Sequence, residues 1–292
     1  MVQPRDVQEA AWRVQLGGDA HLYCALDDYT DAWRPADTVV LLHGIAEHGG
    51  IWRAWVPHLA RRYRVLRPDL RGFGRSSALP AGGAFTLADW ADDIERMIDS
   101  IGSGRGPDDA PPRVHLIGTK LGALVAFELA QRRRPWIASM TLAGMLPSPS
   151  KALGPWLDEW VGVIEREGVE SWARLTMPGR MGKTLPPEAL EWWARLMGTT
   201  SAATVLACMR LLPGIDEPPN PEGIACPTLF IVPGAHETGG TYNQRPAPAD
   251  LLRLQSRVRG STLREIPADS YHIAATHPDA CAIMAAEFIE EC

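Results

Sequence analysis

Short apolar stretches alternate along this chain with stretches of helical periodicity. Residues 10–16 and 20–26 alternate apolar and polar positions, as in a pair of antiparallel strands. Residues 38–42 form a continuous apolar run, which is typical of a strand buried on both faces. Residues 86–102 place apolar side chains at helical spacing after Thr86, a predicted N-cap. Alternating strands and helices predict an α/β fold: a mostly parallel eight-stranded sheet with helices on both faces.

The same patterns continue over the rest of the chain. Further strands are predicted at 63–68, 113–117, 137–143, 227–232 and 262–267. Further helices are predicted at 50–62, 120–132, 247–257 and 278–290. The segment 102–112 is rich in Gly, Pro and Asp and is expected to be a loop.

One long segment interrupts this alternation. Residues 147–224 contain many prolines and no convincing strand pattern. They also hold five of the 11 tryptophans: Trp156, Trp160, Trp172, Trp192 and Trp193. We therefore expect a core domain made of residues 1–146 and 225–292, with residues 147–224 as a helical cap insertion over the carboxyl edge of the sheet. Open α/β sheets bind their ligands at that edge.

Composition narrows the functional classes. The formal net charge is −6, which gives no indication of the basic face that nucleic-acid binding needs. No run approaches the roughly 18 apolar residues of a membrane span, and the first residues lack the apolar region of a signal peptide. The five cysteines are scattered, as expected of reduced thiols in the cytoplasm. We expect a cytoplasmic protein with a small-molecule substrate, either a monomer or a homodimer.

The most informative segment is a sharp strand-to-helix turn at residues 114–123. An apolar strand runs into a helix through the pattern Gly118-x-Lys120-x-Gly122. In a G-x-S-x-G turn, a strained tip residue is raised above the sheet and its small neighbours let the helix pack against the strand. Here the turn has its glycines, but a lysine occupies the tip.

At this turn the chain resembles the α/β-hydrolase superfamily, and the resemblance covers nearly the whole sequence. The loop at 43–48 (His-Gly-Ile-Ala-Glu-His) is similar to the HGxxEH loop of monoacylglycerol-lipase and lysophospholipase-like members. Residues 69–76 are similar to the family's D-x-R-G-x-G-x-S turn. Glu237 follows a strand where members place the triad acid, and His272 follows the last strand, where they place the triad histidine. With Lys120 as the nucleophile position, the chain order also agrees.

The resemblance implies a role for each of these positions. His272 would be the general base or proton shuttle, and Glu237 would orient its ring, with Asp269 as the reserve acid. The backbone N–H groups of Ile45 and Leu121 would form the oxyanion hole.

Several further side chains are candidates for shaping the pocket. Trp156, Trp160 and His43 are candidate substrate-binding residues, and the insertion tryptophans together predict an apolar pocket. Glu47 and His48 are expected to stabilise the loop at 43–48. The histidine pairs show no convincing metal-ligand pattern, and no dinucleotide motif is present, so we expect neither a metal nor a cofactor.

Lys120 leaves three interpretations open. The residue is interpreted as a solvated lysine at a helix start, as an inactivating replacement of the nucleophilic serine, or as a lysine that takes part in catalysis. Under a cap, loss of hydration would lower the lysine pKa. A neutral amine attacks a carbonyl to form a Schiff base or acts as a base, whereas a charged one stabilises a developing enolate or oxyanion. Ester hydrolysis through lysine is chemically poor, because an acyl-lysine is an amide.

Three functional hypotheses follow from the sequence. The first is an enzyme with a Lys/His/Glu triad acting on a mostly apolar small molecule with a ketone, ester, lactone or thioester group, through C–C bond cleavage or formation, decarboxylation, cyclisation or hydrolysis. The second is a catalytically silent ligand-binding protein with the hydrolase fold. The third is an inactivated variant of a serine esterase or lipase.

Overall fold

A computed structural model describes residues 10–80, 82, 85–102, 113–234, 241–242 and 244–292. Its centre is an eight-stranded sheet in the order β1-β2-β4-β3-β5-β6-β7-β8. The strands are β1 (Ala10–Gly17), β2 (Ala20–Asp27), β3 (Thr38–Leu42), β4 (Arg64–Asp69), β5 (Val114–Gly118), β6 (Ile137–Ala143), β7 (Thr228–Pro233) and β8 (Thr262–Ile266). The pairs β1–β2 and β2–β4 are antiparallel and the other pairs are parallel. The predicted α/β fold is confirmed, and each strand lies within one residue of its predicted position.

The middle of the sheet is buried because its strands carry almost uninterrupted apolar side chains. Every residue of β3, β5 and β7 is buried. In parallel sheets both faces are covered by helices, so strands of this kind lose their alternation of apolar and polar positions. These central strands form a rigid support, and their carboxyl ends meet at one edge of the sheet.

Helices cover the faces of the sheet. They are α1 (Val56–Leu59), α2 (Leu87–Gly102), α3 (Leu121–Ala130), α9 (Pro248–Arg257), α10 (Ile273–Thr276) and α11 (Pro278–Glu290). The single helix predicted at 50–62 is wrong. The chain forms a 3₁₀ helix at Gly49–Ala54 and then the four-residue α1. Pro57 lies in the first turn of α1, where its missing N–H costs no hydrogen bond within the helix, whereas in a continuous 50–62 helix it would remove one. The longer helix at Val169–Met181 does accommodate an interior proline, Pro178.

Between β6 and β7 the chain contains only helices and connecting turns, and every residue of this stretch is described. The helices are α4 (Pro149–Leu153), α5 (Leu157–Glu167), α6 (Val169–Met181), α7 (Pro187–Gly198) and α8 (Ala202–Leu211), with 3₁₀ turns at Gly154–Trp156, Leu212–Gly214 and Pro221–Gly223. Trp160 and Trp172 pack edge to face within it, with ring centroids 5.6 Å apart. We call residues 149–223 the helical segment.

Within the described ranges, no single helix has the length and apolar composition of a membrane span. The bent pair of α7 with Ala202–Gly214 meets that criterion jointly, by length and composition only, and its two parts are inclined by 91°.

Candidate active site

The turn between β5 and α3 holds Lys120 in a strained conformation. Its backbone has φ of 50° and ψ of −113°, a region that residues with a Cβ rarely adopt. The flanking positions have no space for a side chain. A Cβ on Gly118 would overlap the backbone of Gly122, and a Cβ on Gly122 would overlap the carbonyl oxygen of Leu42. These two glycines let α3 pack against β3 and β5, and the tip residue rises above the sheet edge.

Lys120 is buried, with 7% of the residue exposed. Its Nζ donates to Oε1 of Glu47 and to Nδ1 of His272, which lies 2.8 Å away. The structure therefore excludes the interpretation of Lys120 as a solvated surface lysine. It brings together residues from three loops that lie far apart in the sequence, at the carboxyl ends of β3, β5 and β8.

Glu47 is a part of this site that the sequence did not assign to it. The residue is fully buried. While Oε1 accepts from Lys120, Oε2 accepts from the backbone N–H of Gly44 at 2.8 Å. Glu47 thus does help to stabilise its loop, and it also supplies a negative charge next to the lysine ammonium. The sequence signal was its place in the loop at 43–48, but only the fold shows which side chain it faces.

His272 is fixed by its backbone as well as by Lys120. Its N–H donates to Ser270 Oγ at 2.9 Å, and that hydroxyl in turn donates to the carbonyl oxygen of Arg180 at 3.0 Å. Burial and then the positive charges of Lys120 and Arg180 hold the pKa of His272 well below its usual range, so the ring is neutral at pH 7.

The contact with Lys120 also fixes the tautomer of the histidine ring. An ammonium group has only hydrogen-bond donors, so Nδ1 of His272 accepts and the proton of the neutral ring lies on Nε2. Nε2 is buried and has no hydrogen-bond partner among the described residues. The imidazole therefore has one unsatisfied N–H donor at the site.

The same surroundings change the pKa of Lys120. Burial lowers it, Glu47 raises it, and Arg180 lowers it further, which gives a pKa of about 8 instead of 10.5. At pH 7 the ammonium form dominates and roughly a tenth of the molecules carry the neutral amine. A small rise in pH is therefore enough to convert the charged group into a nucleophile.

Lys120 and Arg180 border a cavity between the sheet edge and the helical segment. The lining is apolar apart from these two cations and Gln244. Its apolar residues are Ile45, Leu121, Leu124, Leu146, Leu153, Trp160, Trp172, Met209 and Leu212. The volume is about 20 Å³, room for about one water molecule.

Three of the predicted site residues, Ile45, Leu121 and Trp160, line the cavity, and a fourth, Trp156, does not. Ile45 and Leu121 line it beside Lys120, and the N–H of Leu121 is at the start of α3, where backbone donors have no partner within the helix. Trp156 is half-buried and packs edge to face on Tyr242, with ring centroids 5.2 Å apart.

His43 is fully buried, away from the cavity lining. Its Nδ1 donates to the carbonyl oxygen of Gly44 at 2.8 Å, and its Nε2 accepts from the N–H of Leu70 at 2.9 Å. Both ring nitrogens are occupied by backbone groups. In this structure His43 stabilises the loop at 43–48 rather than facing a substrate.

The two candidate acids have different outcomes. Glu237 lies outside the described residues, so its role remains a prediction. Asp269, the reserve acid, accepts from the N–H of Lys183 at 2.8 Å and from the hydroxyl of Thr184 at 3.2 Å. Its carboxylate is used to fix the end of α6 to the histidine loop and makes no hydrogen bond to His272 in the described part of the chain.

The described residues also contain no group of three or more His, Cys, Asp and Glu that could hold a metal ion.

Comparisons with known proteins agree with this architecture. Residues 37–167, less than half of the chain, match the family model described as alpha/beta hydrolase fold. A pimeloyl-[acyl-carrier protein] methyl ester esterase of Methylococcus capsulatus is 39% identical over 104 residues, which are 36% of this chain and 35% of the esterase. The match thus spans only about a third of the esterase's length. A putative carbamate hydrolase of Klebsiella pneumoniae is 26% identical over 254 residues, 85% of this chain and 89% of that protein.

Solved structures show the same fold over most of the chain. An enol-lactonase from Burkholderia xenovorans LB400 superposes with a TM-score of 0.76 at 20% identity, covering 93% of this chain and 97% of the lactonase. From its strand order, its strand-to-helix turn and these matches, the chain has the α/β-hydrolase fold.

Proposed function

We propose that this chain is an α/β-hydrolase-fold enzyme that acts on a mostly apolar small molecule with a ketone, ester, lactone or thioester group, and that Lys120 works at that carbonyl. The observation that carries the proposal is the buried Lys120 Nζ, 2.8 Å from Nδ1 of the buried His272. A lysine with a lowered pKa, enclosed with a histidine in a pocket, is typical of catalytic sites rather than of surfaces.

In its resting form Lys120 is an electrostatic stabiliser. The ammonium has three N–H donors, and Glu47 and His272 accept two of them. The third remains for a substrate carbonyl oxygen. Together with the backbone N–H groups of Ile45 and Leu121, it would stabilise negative charge that develops on that oxygen as an enolate or tetrahedral oxyanion forms.

When Lys120 loses its proton, the amine becomes a nucleophile. Its attack on a ketone forms a C–N bond, and loss of water then gives an imine, which withdraws electrons from the neighbouring carbon. His272 moves protons during these steps, with Glu237 proposed to orient its ring. The chemistry suited to this pair is C–C bond cleavage or formation, decarboxylation or cyclisation next to a carbonyl. Hydrolysis with water activated by His272 remains within the proposal, whereas hydrolysis through an acyl-lysine does not.

We also propose that the helical segment is a cap over the site. It supplies Trp160, Trp172 and Arg180 to the cavity wall, while the sheet edge supplies Lys120. A cavity of about 20 Å³ is too small for a substrate. The helical segment must therefore move, or its side chains must rearrange, before a substrate binds.

Chemical trapping on Lys120 tests the proposal. The protein would be incubated with a panel of apolar ketones, lactones and thioesters with and without sodium borohydride, and peptides would be analysed by mass spectrometry. We expect turnover of at least one compound and its loss in Lys120→Ala. An adduct on Lys120 supports the imine, and turnover without an adduct assigns the electrostatic role. Equal turnover by Lys120→Ala and the unsubstituted protein would contradict a working lysine.

A non-catalytic ligand-binding protein is the competing function. It is favoured by the ion pair itself, because Glu47 already balances the charge of Lys120. In that case ligands bind, but neither the unsubstituted protein nor Lys120→Ala turns any of them over. Lys120→Ser tests the third hypothesis, an inactivated serine hydrolase. Labelling of Ser at position 120 by a fluorophosphonate, with esterase activity, would support it, and an inert variant would oppose it.

A further inference from the structure

A second cation, Arg180 of α6, is buried at the same cavity and forms no ion pair with a described residue. Only 4% of the residue is exposed. Its Nη1 donates to the hydroxyl of Thr176 at 3.3 Å, and its Nε has no hydrogen-bond partner among the described residues. A guanidinium has five N–H donors, so most of this one's hydrogen-bonding capacity is unused.

Among the described residues around Arg180, most polar groups are donors, and Glu47, whose charge reaches Arg180, makes no hydrogen bond to it. The indole N–H groups of Trp160 and Trp172 are buried without partners among the described residues. The guanidinium lies over the Trp172 ring, 5.1 Å from its centroid. The carboxylate of Glu47 is already shared between Lys120 and the N–H of Gly44. The described residues that line the cavity include no Asp or Glu.

This arrangement is costly for the protein alone. Burial lowers the pKa of Arg180 to about 10, which still leaves it charged at neutral pH. A buried charge without a partner destabilises the folded protein, and an apolar side chain of similar volume in the same place would avoid that loss. An acceptor-poor cavity with two cations is therefore suited to a ligand that brings the negative charge.

We propose that Arg180 binds the carboxylate of the substrate, which is an apolar carboxylic acid with a carbonyl group positioned at Lys120. This inference rests on the proposed function, because it assigns the substrate class of the same site. The planar guanidinium matches a carboxylate with two parallel hydrogen bonds. The apolar wall formed by Leu146, Leu153 and Met209 would contact the rest of the molecule.

Binding of matched ligands tests the charge requirement, and octanoate and octanamide test it without any ketone for Lys120 to attack. Octanoate, 2-oxooctanoate and the neutral octanamide share one alkyl chain and would be titrated into the protein by isothermal calorimetry. We expect both acids to bind and octanamide to bind at least roughly tenfold more weakly, because charge-assisted hydrogen bonds exceed neutral ones. Equal affinity for octanoate and octanamide would overturn the proposal.

Substitution of Arg180 tests whether this residue is the one that binds the carboxylate. Arg180→Met keeps an unbranched side chain of similar length and should weaken octanoate binding roughly 10- to 100-fold while changing octanamide binding little. Arg195→Met, at an exposed arginine of α7, is the matched control and should leave both affinities unchanged. Unchanged octanoate affinity in Arg180→Met would overturn the assignment.

The resistance of Arg180→Met to urea distinguishes a ligand-binding role of Arg180 from a structural one. Since Arg180 is an unpaired buried cation, Arg180→Met should be at least as resistant to urea as the unsubstituted protein. A clear loss of stability would instead indicate that Arg180 holds the fold, and would count against the proposal. Arg180→Lys provides a second measurement that does not depend on removing the charge. It keeps the positive charge but not the two parallel hydrogen bonds, so it should still lower octanoate affinity, and an unchanged affinity would contradict the proposal.

The same titrations with Lys120→Met keep the two proposals apart. If the effect of Arg180→Met on octanoate binding persists in that background while the unsubstituted protein neither turns over nor traps any compound, the carboxylate site stands and the catalytic proposal fails. If turnover depends on Lys120 but binding is independent of Arg180, the reverse holds.

Discussion

The pKa of Lys120 is set by burial and by two charged neighbours, and these contributions act in opposite directions. Removal from water favours the neutral amine, Glu47 favours the ammonium, and Arg180 favours the amine again. A buried ion pair contributes little net stability, since the loss of hydration offsets most of the attraction. The significance of Glu47 is therefore less in holding the fold than in setting how readily Lys120 releases its proton.

We expect the pKa of Lys120 to move in opposite directions in two variants. Glu47→Gln removes the charge that raises it and should bring it below 8, whereas Arg180→Met removes a repelling cation and should bring it above 8. Trace acetylation with acetic anhydride over pH 6 to 11 (about 5 pH units) with peptide mass spectrometry would follow Lys120 alone. Labelling of the exposed Lys183 serves as an internal reference. Shifts in one direction in both variants would contradict this account.

Individual site residues could be predicted from the sequence only where a motif has a fixed place in the order of strands and helices. The turn at Lys120 and the loop at His272 could be assigned because each follows a recognisable strand. Glu47 was recognised only as a loop residue, since its contact with Lys120 depends on the path of the chain between them. Arg180 had no sequence signal, because it is one cation on a helix whose packing depends on all of the other helices around it.

Among the elements, the junction of β5 and α3 depends on the absence of side chains. Gly122 is in contact with the backbone of β3, so α3 sits closer to the sheet than any helix with a side chain at that position. This close approach aims the first turn of α3 at the cavity. The central strands were predicted well because they are short apolar runs bounded by turn residues, and β1 and β2 because their apolar and polar positions alternate. The predicted helix at 50–62 is instead a 3₁₀ helix followed by the short α1, and Pro57, which has no N–H to donate, lies where the two meet.

Replacement of Gly122 by alanine should therefore be severe. The new Cβ would overlap the carbonyl oxygen of Leu42, and backbone cannot yield as a flexible side chain can, so we expect a loss of about 3 kcal/mol or more in the free energy of unfolding. Gly154→Ala is the control. Gly154 has φ of −49° and open space around its Cβ position, so alanine should change stability by less than about 1 kcal/mol. Urea unfolding would measure both, and similar losses would refute the packing explanation.

In the whole molecule, the helical segment is attached to the histidine loop at the carboxyl end of α6. Asp269 accepts from Lys183 and Thr184 just beyond α6, and Ser270 donates to the carbonyl oxygen of Arg180. If the segment moves to admit a substrate, this end is the fixed one. The sequence predicted the segment's position between β6 and β7, but its five helices pack on each other, and apolar periodicity does not determine such an arrangement.

Loosening this attachment should increase the mobility of α6. Asp269→Ala removes the acceptor for the N–H of Lys183, so hydrogen exchange at residues 180–184 should accelerate by about tenfold or more relative to the unsubstituted protein. Asp279→Ala, at an exposed aspartate paired with His58, is the control and should leave that exchange unchanged. Unaltered exchange in Asp269→Ala would show that the fixed end lies elsewhere.

The hydroxyl of Ser270 connects His272 with Arg180, since it accepts from the backbone N–H of His272 and donates to the carbonyl oxygen of Arg180. One oxygen atom thus sets the spacing between the histidine proposed to move protons and the arginine proposed to bind the carboxylate. A homologous series of keto acids should accordingly show a sharp optimum in chain length, set by backbone spacing rather than by the volume of the pocket.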